Sequence, residues 1–257
     1  MIQWVSGDAE KGERGDVIRE KSEPPRNLAG QRMGAKGLAT RQRIIDALHQ
    51  LLLTHPLRDI KASHITQMIG AAPSRFGLYF SDVEEALLAA IESHPQASGE
   101  LMDKLTADWE GEASVEAIRN FVTSYLDYWE QNFDLLKARN LAADEGDPRF
   151  LDIRRQHATP LREELARKVA RAQAAKRLPD HLHPSSVAGV ILSALERMTA
   201  ITRYPHSVSG VSTASLVDAA VYMIGAMTGT LATSIASGTG YQDVGARPEA
   251  EARKQKA

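Results

Sequence analysis

The sequence of 257 residues contains no cysteine. This absence excludes disulfides, thiol nucleophiles and cysteine-ligated zinc or iron–sulfur sites. A chain that forms no disulfides gains nothing from an oxidising compartment, so we expect a cytoplasmic protein. Residues 1–8 also lack the basic and apolar regions of a secretory signal peptide.

The sequence also lacks any stretch in which polar and apolar residues alternate for long enough to form a β-strand. Apolar residues instead recur every three or four positions, which is the spacing of one helix face. Hydrophobic residues make up 43% of the chain, enough for a core, and the sequence predicts an all-α fold. The predicted helices cover residues 40–54, 62–69, 73–80, 84–91 with a continuation at 100–109, 114–136, 141–156 with an interruption at 146–148, 160–177, 184–204 and 212–235.

Positive charge is concentrated near the N-terminus. The net charge is −2, but residues 26–81 carry eight basic and two acidic side chains, whereas residues 82–257 carry 19 basic and 25 acidic ones. A basic block joined to an acidic body predicts a module that binds a polyanion such as nucleic acid. Chance clustering of surface charge is the alternative.

Both ends of the chain are poor in apolar residues. Residues 1–37 and 238–257 are rich in charge and glycine, and we expect them to be disordered. The first segment is a basic arm in its second half, because no acid occurs between Arg26 and Arg43.

Two short predicted helices, 62–69 and 73–80, are joined by a turn at Gly70 and are typical of a helix-turn-helix. No carboxylate occurs between Ile60 and Ser81, while Lys61 and Arg75 are cationic. A short helix without acids suits the major groove of DNA, which is about 12 Å wide.

Residues 65–88 read ITQMIGAAPSRFGLYFSDVEEALL. The order of an Ile, a Gly, a Pro-Ser stretch, an aromatic pair and then Glu and Leu resembles the N-terminal domain of TetR-family transcriptional regulators. The resemblance implies a helix-turn-helix DNA-binding domain over residues 38–92 and a helical effector-binding and dimerisation domain over residues 93–237. It further implies a ligand-responsive repressor that acts as a homodimer on a palindromic operator in double-stranded DNA.

The resemblance also implies which residues meet DNA. Arg75 can form a bidentate contact with guanine, and the alternatives are a phosphate contact or a solvated surface arginine. Tyr79 faces the groove or, as the alternative, packs in the core. The residues expected at the DNA are Lys36, Arg41, Lys61, Pro73, Ser74, Arg75, Gly77 and Tyr79.

Two positions depart from the family pattern. Gly77 stands where the family has a tyrosine that contacts phosphate, and Val83 stands where it has a lysine. The alternative function is therefore a helical ligand-binding protein with a degenerate head that binds DNA without sequence preference.

An aromatic stripe on the predicted helix 114–136 suggests a binding site for a small, partly hydrophobic effector. Ordinary core packing is the alternative for each of these side chains. The expected effector-binding residues are Phe121, Tyr125, Tyr128, Trp129, Phe133 and Asn140.

The segment 219–236 is uncharged and contains Gly225 and Gly229 four residues apart. Taken alone it resembles a transmembrane helix. Because serine and threonine are frequent and no basic or aromatic flank is present, we expect a soluble dimer interface and no membrane. The expected dimerisation residues are Val187, Val190, Ile191, Ala194, Gly225 and Gly229.

No catalytic grouping of Ser, His and Asp, phosphate-binding glycine loop or HExxH motif occurs. We therefore expect neither an enzyme nor a cofactor. The acidic residues Asp144, Glu145 and Asp147 are expected to form a solvated loop, and a hard-cation site that they form with Asn140 is the alternative. His181 and His183 are too close in sequence for a helical metal site. No metal is predicted.

Overall fold

The computed structural model describes residues 26–93, 99–111, 113–203 and 212–231, which form nine α-helices and no β-strand. The all-α prediction is confirmed. A 3₁₀ helix covers Pro73–Leu78, and a shorter 3₁₀ turn covers Leu57–Asp59. The α-helices are α1 (Ala35–Leu52), α2 (Ala62–Met68), α3 (Val83–Ser93), α4 (Gly99–Thr106), α5 (Ser114–Gln131), α6 (Phe133–Asp144), α7 (Pro148–Ala174), α8 (Pro184–Arg203) and α9 (Thr213–Met227).

Helices α1 to α3 and the 3₁₀ helix enclose one hydrophobic core, and we call this unit the head. Each element contributes apolar side chains at helical spacing, and the Phe76 and Phe80 rings lie 5.8 Å apart. Burying such a side chain contributes roughly 1.5–3 kcal/mol to stability. The completely buried side chains of this core include Ile44, Leu48, Ile65, Phe80 and Leu87.

Helices α4, α5, α7, α8 and α9 form a second, larger core, which we call the body. An aromatic ladder runs through it from Trp109 to Phe121, Tyr125 and Trp129, with successive ring centroids 5.5, 6.3 and 6.5 Å apart. None of the described helices is long and apolar enough to span a membrane.

Helix α6 joins the two units. Its residues Leu135, Ala138 and Ala142 belong to the core of the head, as do Phe150 and Ile153 at the start of α7. The expected boundary after residue 92 assigned these side chains to the second domain. The head therefore completes its core with residues that lie about 50 positions further along the chain.

Several predicted helices differ from the structure in extent or in type. The predicted helix 114–136 is broken at Asn132, whose backbone leaves the helical region (φ −119°, ψ 16°) while its side chain donates to the Tyr128 carbonyl at 2.7 Å. The predicted helix 73–80 is a 3₁₀ helix, since six residues that include Gly77 give little α-helical propensity.

Helix α7 is continuous from Pro148 to Ala174, although the sequence predicted separate helices before and after Pro160. Proline inside a helix removes one hydrogen bond and costs about 3 kcal/mol. Pro160 is exposed, and the apolar face of α7 is buried against the other helices on both sides of it. The interruption predicted at 146–148 is present: Gly146 has φ +94°, and Asp147 caps α7 by accepting the Arg149 amide at 2.9 Å.

The chain ends differ from expectation where they are described. Residues 26–34 form a hydrogen-bonded loop and α1 begins at Ala35, so this part of the expected arm is ordered. Helix α9 ends at Met227 and is followed by Gly229 in the left-handed region (φ +69°). Residues 1–25 and 232–257, with the rest of the expected arm, helix and tail, lie outside the described residues.

Candidate DNA-binding surface and effector site

The turn between α2 and the 3₁₀ helix is built around Gly70, which has φ +64°. Two hydrogen bonds fix it. The Ala71 amide donates to the Thr66 carbonyl at 2.9 Å, and the Arg43 guanidinium of α1 donates to the Ile69 carbonyl. Because the carbonyl groups at the end of a helix lack partners within it, these contacts stabilise the turn and orient the 3₁₀ helix.

The 3₁₀ helix exposes one side and buries the other. Phe76 is buried in the head, whereas Ser74, Arg75 and Gly77 are exposed, as is Pro73. Tyr79 is half-buried and packs against the core of the head, in line with the alternative placement for this residue. The exposed side therefore presents Ser74 and the Arg75 guanidinium to solvent.

A groove of about 390 Å³ lies between α1 and the 3₁₀ helix. Thr40 and Arg43 of α1 line one wall, and Arg75 and Leu78 line the other. A polar groove with two cations at its edges suits a phosphate strand better than an apolar ligand.

The other predicted DNA-contacting residues lie on α1 and at the N-terminal end of α2. Lys36 is exposed on the first turn of α1, and Lys61 is exposed at the N-terminal end of α2. The Arg41 guanidinium is half-buried and lies over the Phe80 ring, 5.0 Å from its centroid. Arg41 thus packs on the head core with part of its side chain still accessible.

The predicted effector residues fall into two groups. Phe121, Tyr125 and Trp129 are buried in the aromatic ladder and form part of the body core. Burial raises the pKa of Tyr125, and it also raises the pKa of the half-buried Tyr128. Both hydroxyls therefore stay protonated. Phe133 is buried in the same core and also lines a groove of about 410 Å³ between α5, α8 and α9.

Asn140 belongs to a buried polar network that sequence reasoning missed. Its amide donates to Glu196 Oε1 of α8 at 2.7 Å, and Arg154 of α7 donates to the same oxygen at 2.9 Å. The Arg139 Nε donates to Asn140 Oδ1 at 3.0 Å, and its Nη1 lies 3.3 Å from His157 Nδ1. The partners come from α6, α7 and α8, so no sequence spacing could have revealed the network.

Electrostatics within the network follow from burial. Arg139 is only 5% exposed, and no carboxylate of the described residues lies within 4 Å of it. Burial and the charge of Arg139 lower the pKa of His157, while burial raises the pKa of Glu196 against the opposing effect of Arg154. His157 is therefore a neutral acceptor toward Arg139 at neutral pH.

The acidic residues before α7 have structural partners. Asp144 pairs with Arg154 at 2.8 Å, and Asp147 pairs with Arg149 at 2.7 Å. Arg149 also reaches Asp82 at 3.3 Å, and Asp82 caps α3 by accepting the Glu85 amide. Within the described ranges, no group of three potential ligands is arranged for a metal ion.

The predicted dimer residues are divided between surface and core. Val190 is 56% exposed and Ala194 is half-buried, whereas Val187 and Ile191 are buried in the core of their own chain. Tyr222 of α9, which was not predicted, is 60% exposed. Val187 and Ile191 pack in the core of their own chain, so a direct contact of these two residues with a second subunit stays a prediction.

Gly225 in α9 and Gly229 just after its end also pack within the subunit. A Cβ at Gly225 would come within 2.8 Å of Leu231, and one at Gly229 within 2.9 Å of Ala172. Gly229 is further required by its positive φ. Both glycines therefore allow close packing inside the chain and are not placed on an open surface.

The architecture can now be compared with known proteins. The family model described as "Tetracyclin repressor-like, C-terminal domain" matches residues 99–233, which is more than half of the chain. The chain belongs to the TetR family. Comparison with curated proteins finds no sequence match.

Solved structures of other proteins resemble this chain in fold. FadR, a fatty acid degradation regulator from Bacillus halodurans, is 18% identical over 76% of this chain and 96% of its own, with a TM-score of 0.51. The SmeT–triclosan complex is 18% identical over 73% and 90%, with a TM-score of 0.50. A TetR/AcrR-family regulator from Thermobifida fusca is 19% identical over 72% and 96%, with a TM-score of 0.49. At these identities the likeness concerns the fold alone.

Proposed function

We propose that this TetR-family protein is a sequence-specific DNA-binding transcriptional regulator, a ligand-responsive repressor that binds a palindromic operator as a homodimer. The observation that carries the proposal is the short 3₁₀ helix. It buries Phe76 in the head while it exposes Ser74 and Arg75 on a side without carboxylates. A recognition helix needs this arrangement to contact bases in the major groove of DNA.

Each cation of the head has a role in this proposal. Arg75 reads a base edge, because its planar guanidinium can donate two hydrogen bonds to guanine. Lys36 on the first turn of α1 and Lys61 at the start of α2 are exposed and bind phosphates, and Arg41 contributes through its accessible part. Phosphate contacts set the register of the helix on the duplex, and base contacts supply specificity.

The effector acts, in this proposal, on the polar network around Asn140. Tyr128 is half-buried beside this network, and the aromatic ladder supplies an apolar wall. A small, partly hydrophobic molecule suits such surroundings. The SmeT neighbour, solved as a complex with triclosan, supports a small-molecule effector.

Helix α6 links the effector site to the head in this proposal. Arg139 and Asn140 face the network, whereas Leu135, Ala138 and Ala142 of the same helix pack in the head. A ligand that prefers one position of α6 shifts the population of head orientations by its difference in affinity between the two states. DNA release follows when the two heads of a dimer no longer match the half-site spacing.

The dimer surface in this proposal is the outer side of α8 and α9. Val190 and Tyr222 are large side chains exposed there, and Ala194 allows close approach of helices. Two copies of the same patch related by a twofold axis give a self-complementary interface. The twofold axis then places one reading helix on each half of the palindrome.

The decisive experiment is selection of a random double-stranded DNA pool by the purified protein at moderate salt, read by sequencing. A palindromic consensus for the wild type, lost in Arg75→Ala but kept in the control Arg171→Ala, is expected. Arg171 is an exposed arginine of α7, far from the 3₁₀ helix in sequence. Binding without a consensus would contradict specific recognition and favour the alternative of a degenerate head, which Gly77 and Val83 suggest.

A further inference from the structure

The side chains of the 3₁₀ helix are arranged in three rows along its axis. A 3₁₀ helix has three residues per turn, so the side chains at positions i and i+3 lie directly above one another. One row contains Ser74 and Gly77, and the next contains Arg75 and Leu78; all four residues are exposed. Phe76 belongs to the third row and is buried in the head. Arg75 and Leu78 therefore lie side by side on the exposed surface of the helix.

Leu78 is an apolar side chain on this otherwise polar surface. It is 36% exposed, and the described residues that pack against the core of the head do not include it. Its carbonyl accepts the Leu28 amide at 3.0 Å, which holds the last turn of the helix in place. Arg75 and Leu78 also line the same wall of the groove beside α1, in agreement with their common row. The helix thus presents a guanidinium and a branched apolar group next to each other.

The neighbouring row leaves space for a partner to approach the helix. Gly77 has no side chain, and a Cβ at its position would meet nothing within 4 Å. Ser74, the other member of the row, is small and exposed. No carboxylate occurs over residues 60–81, so nothing in this segment repels a polyanion. The edges of DNA bases can therefore come close enough to meet both Arg75 and Leu78.

We propose that Leu78 is a second base-reading residue, which contacts the C5 methyl group of a thymine in the major groove. This inference rests on the proposed function and extends it to the kind of half-site that is selected. In the major groove, thymine is distinguished by its methyl group, which apolar side chains contact, whereas guanine is read by arginine.

The geometry of the helix also sets the distance between the two bases. Arg75 and Leu78 are about 6 Å apart along the axis, because a 3₁₀ helix rises by about 2.0 Å per residue. Successive bases of one DNA strand are about 3.4 Å apart. For a helix that lies along the groove, the thymine is therefore about two base-pair steps from the guanine that Arg75 reads.

The test is the replacement of single thymines by deoxyuridine in the operator that the wild type selects. Deoxyuridine lacks only the C5 methyl group, so the hydrogen-bonding groups and the charge of the duplex are unchanged. Burial of one such group is worth about 0.8 kcal/mol, or about fourfold in affinity. We expect this loss at one thymine of a half-site, and a loss of about 15-fold when both half-sites are changed. Fluorescence anisotropy with labelled duplexes measures the dissociation constants.

Variants of Leu78 assign the sensitive thymine to this side chain. Leu78→Ala should bind the thymine and deoxyuridine operators with equal affinity, whereas Leu78→Met keeps a large apolar side chain and should still distinguish them. Leu53→Ala is the matched control, since Leu53 is 54% exposed just after the C-terminal end of α1. This control should show the same loss on deoxyuridine as the wild type.

Two results would overturn the role of Leu78. One is a wild type that is insensitive to deoxyuridine at every thymine of the half-site, and this measurement needs no variant. The other is a Leu78→Ala protein that still loses affinity when the methyl group is removed. In either case a palindromic consensus leaves specific recognition intact. A protein that selects no consensus contradicts the proposed function itself, and base reading by Leu78 is then wrong as well.

Discussion

The head and the body differ in where their positively charged side chains lie. The head keeps Lys36, Lys61 and Arg75 exposed over an apolar core, whereas the body buries Arg139 and Lys168 among helices. Lys168 donates to the Ala107 carbonyl at 2.7 Å beneath the Trp109 ring, and burial lowers its pKa. Exposed cations are available to attract and bind a charged partner, whereas the buried cations are held by hydrogen bonds and ring contacts within the chain.

This contrast shows why the two proposed sites differ in kind. A polyanion can bind the head without rearrangement, because its cations are already solvated at the surface. A ligand of the body has to compete with hydrogen bonds that link α6, α7 and α8. The second site is therefore suited to change the structure when it is occupied.

The largest expected effect tests whether the two units are separable. Phe150 belongs to α7 of the body but is completely buried in the core of the head. Phe150→Ala should lower the free energy of unfolding by about 3–5 kcal/mol, measured by urea denaturation. Leu151→Ala is the control, since Leu151 is 42% exposed. A loss below about 1 kcal/mol would mean that the head is stable without α7.

The next effect concerns the exposed charge of the head. Arg75→Ala should weaken operator binding by about 1–3 kcal/mol for each half-site and relax the preference at one base pair. Fluorescence anisotropy with the selected operator and with single-base variants measures both. If all duplexes lose affinity equally, Arg75 contacts a phosphate and does not read a base.

Close packing inside the body is tested at Gly229. Its positive φ and the Cβ of Ala172 leave no room for a side chain, so Gly229→Ala should cost at least about 1–2 kcal/mol of stability. The dissociation constant of a dimer should stay unchanged in sedimentation experiments. A weaker dimer with normal subunit stability would indicate that Gly229 lies at the dimer interface.

The matching position in the head is Gly77, where a Cβ would meet nothing within 4 Å. Gly77→Ala should therefore raise the free energy of unfolding by about 0.4–1 kcal/mol, because it restricts the unfolded chain. Thermal and urea unfolding measure the gain. A loss of stability would indicate that the 3₁₀ helix needs the conformational freedom of glycine.

The smallest effect is a pH dependence from His157. Its pKa in the folded protein is lowered by burial and by Arg139, so the unfolded state binds the proton more readily. Stability from this group is present above its ordinary pKa of 6.5 and is lost as the pH falls through the lowered value. His157→Gln should thus reduce the loss of stability between pH 7.5 and pH 5, whereas the exposed His181→Gln should not.

How far the sequence could predict each region depends on the distance of the contacts along the chain. The helix-turn-helix was recognisable because Gly70, Pro73 and the aromatic pair act within about one or two helical turns of each other. The break at Asn132 and the continuity through Pro160 were missed. At Asn132 the side chain bonds the Tyr128 carbonyl, four residues before it, and the helical spacing of the apolar residues gave no sign of this break. At Pro160 the packing of α7 against other helices offsets a local cost of about 3 kcal/mol.

The amino-acid sequence by itself determined the all-α class, the basic head and the exposed position of Ser74 and Arg75, because these follow from local periodicity and charge. Only the tertiary structure decided that α6 completes the head, that Val187 and Ile191 are buried, and that the Leu28 amide donates to the Leu78 carbonyl. It also brought Arg139, His157 and Glu196 together. Burial and hydrogen bonding between distant segments depend on how helices pack, and no spacing within one helix encodes that.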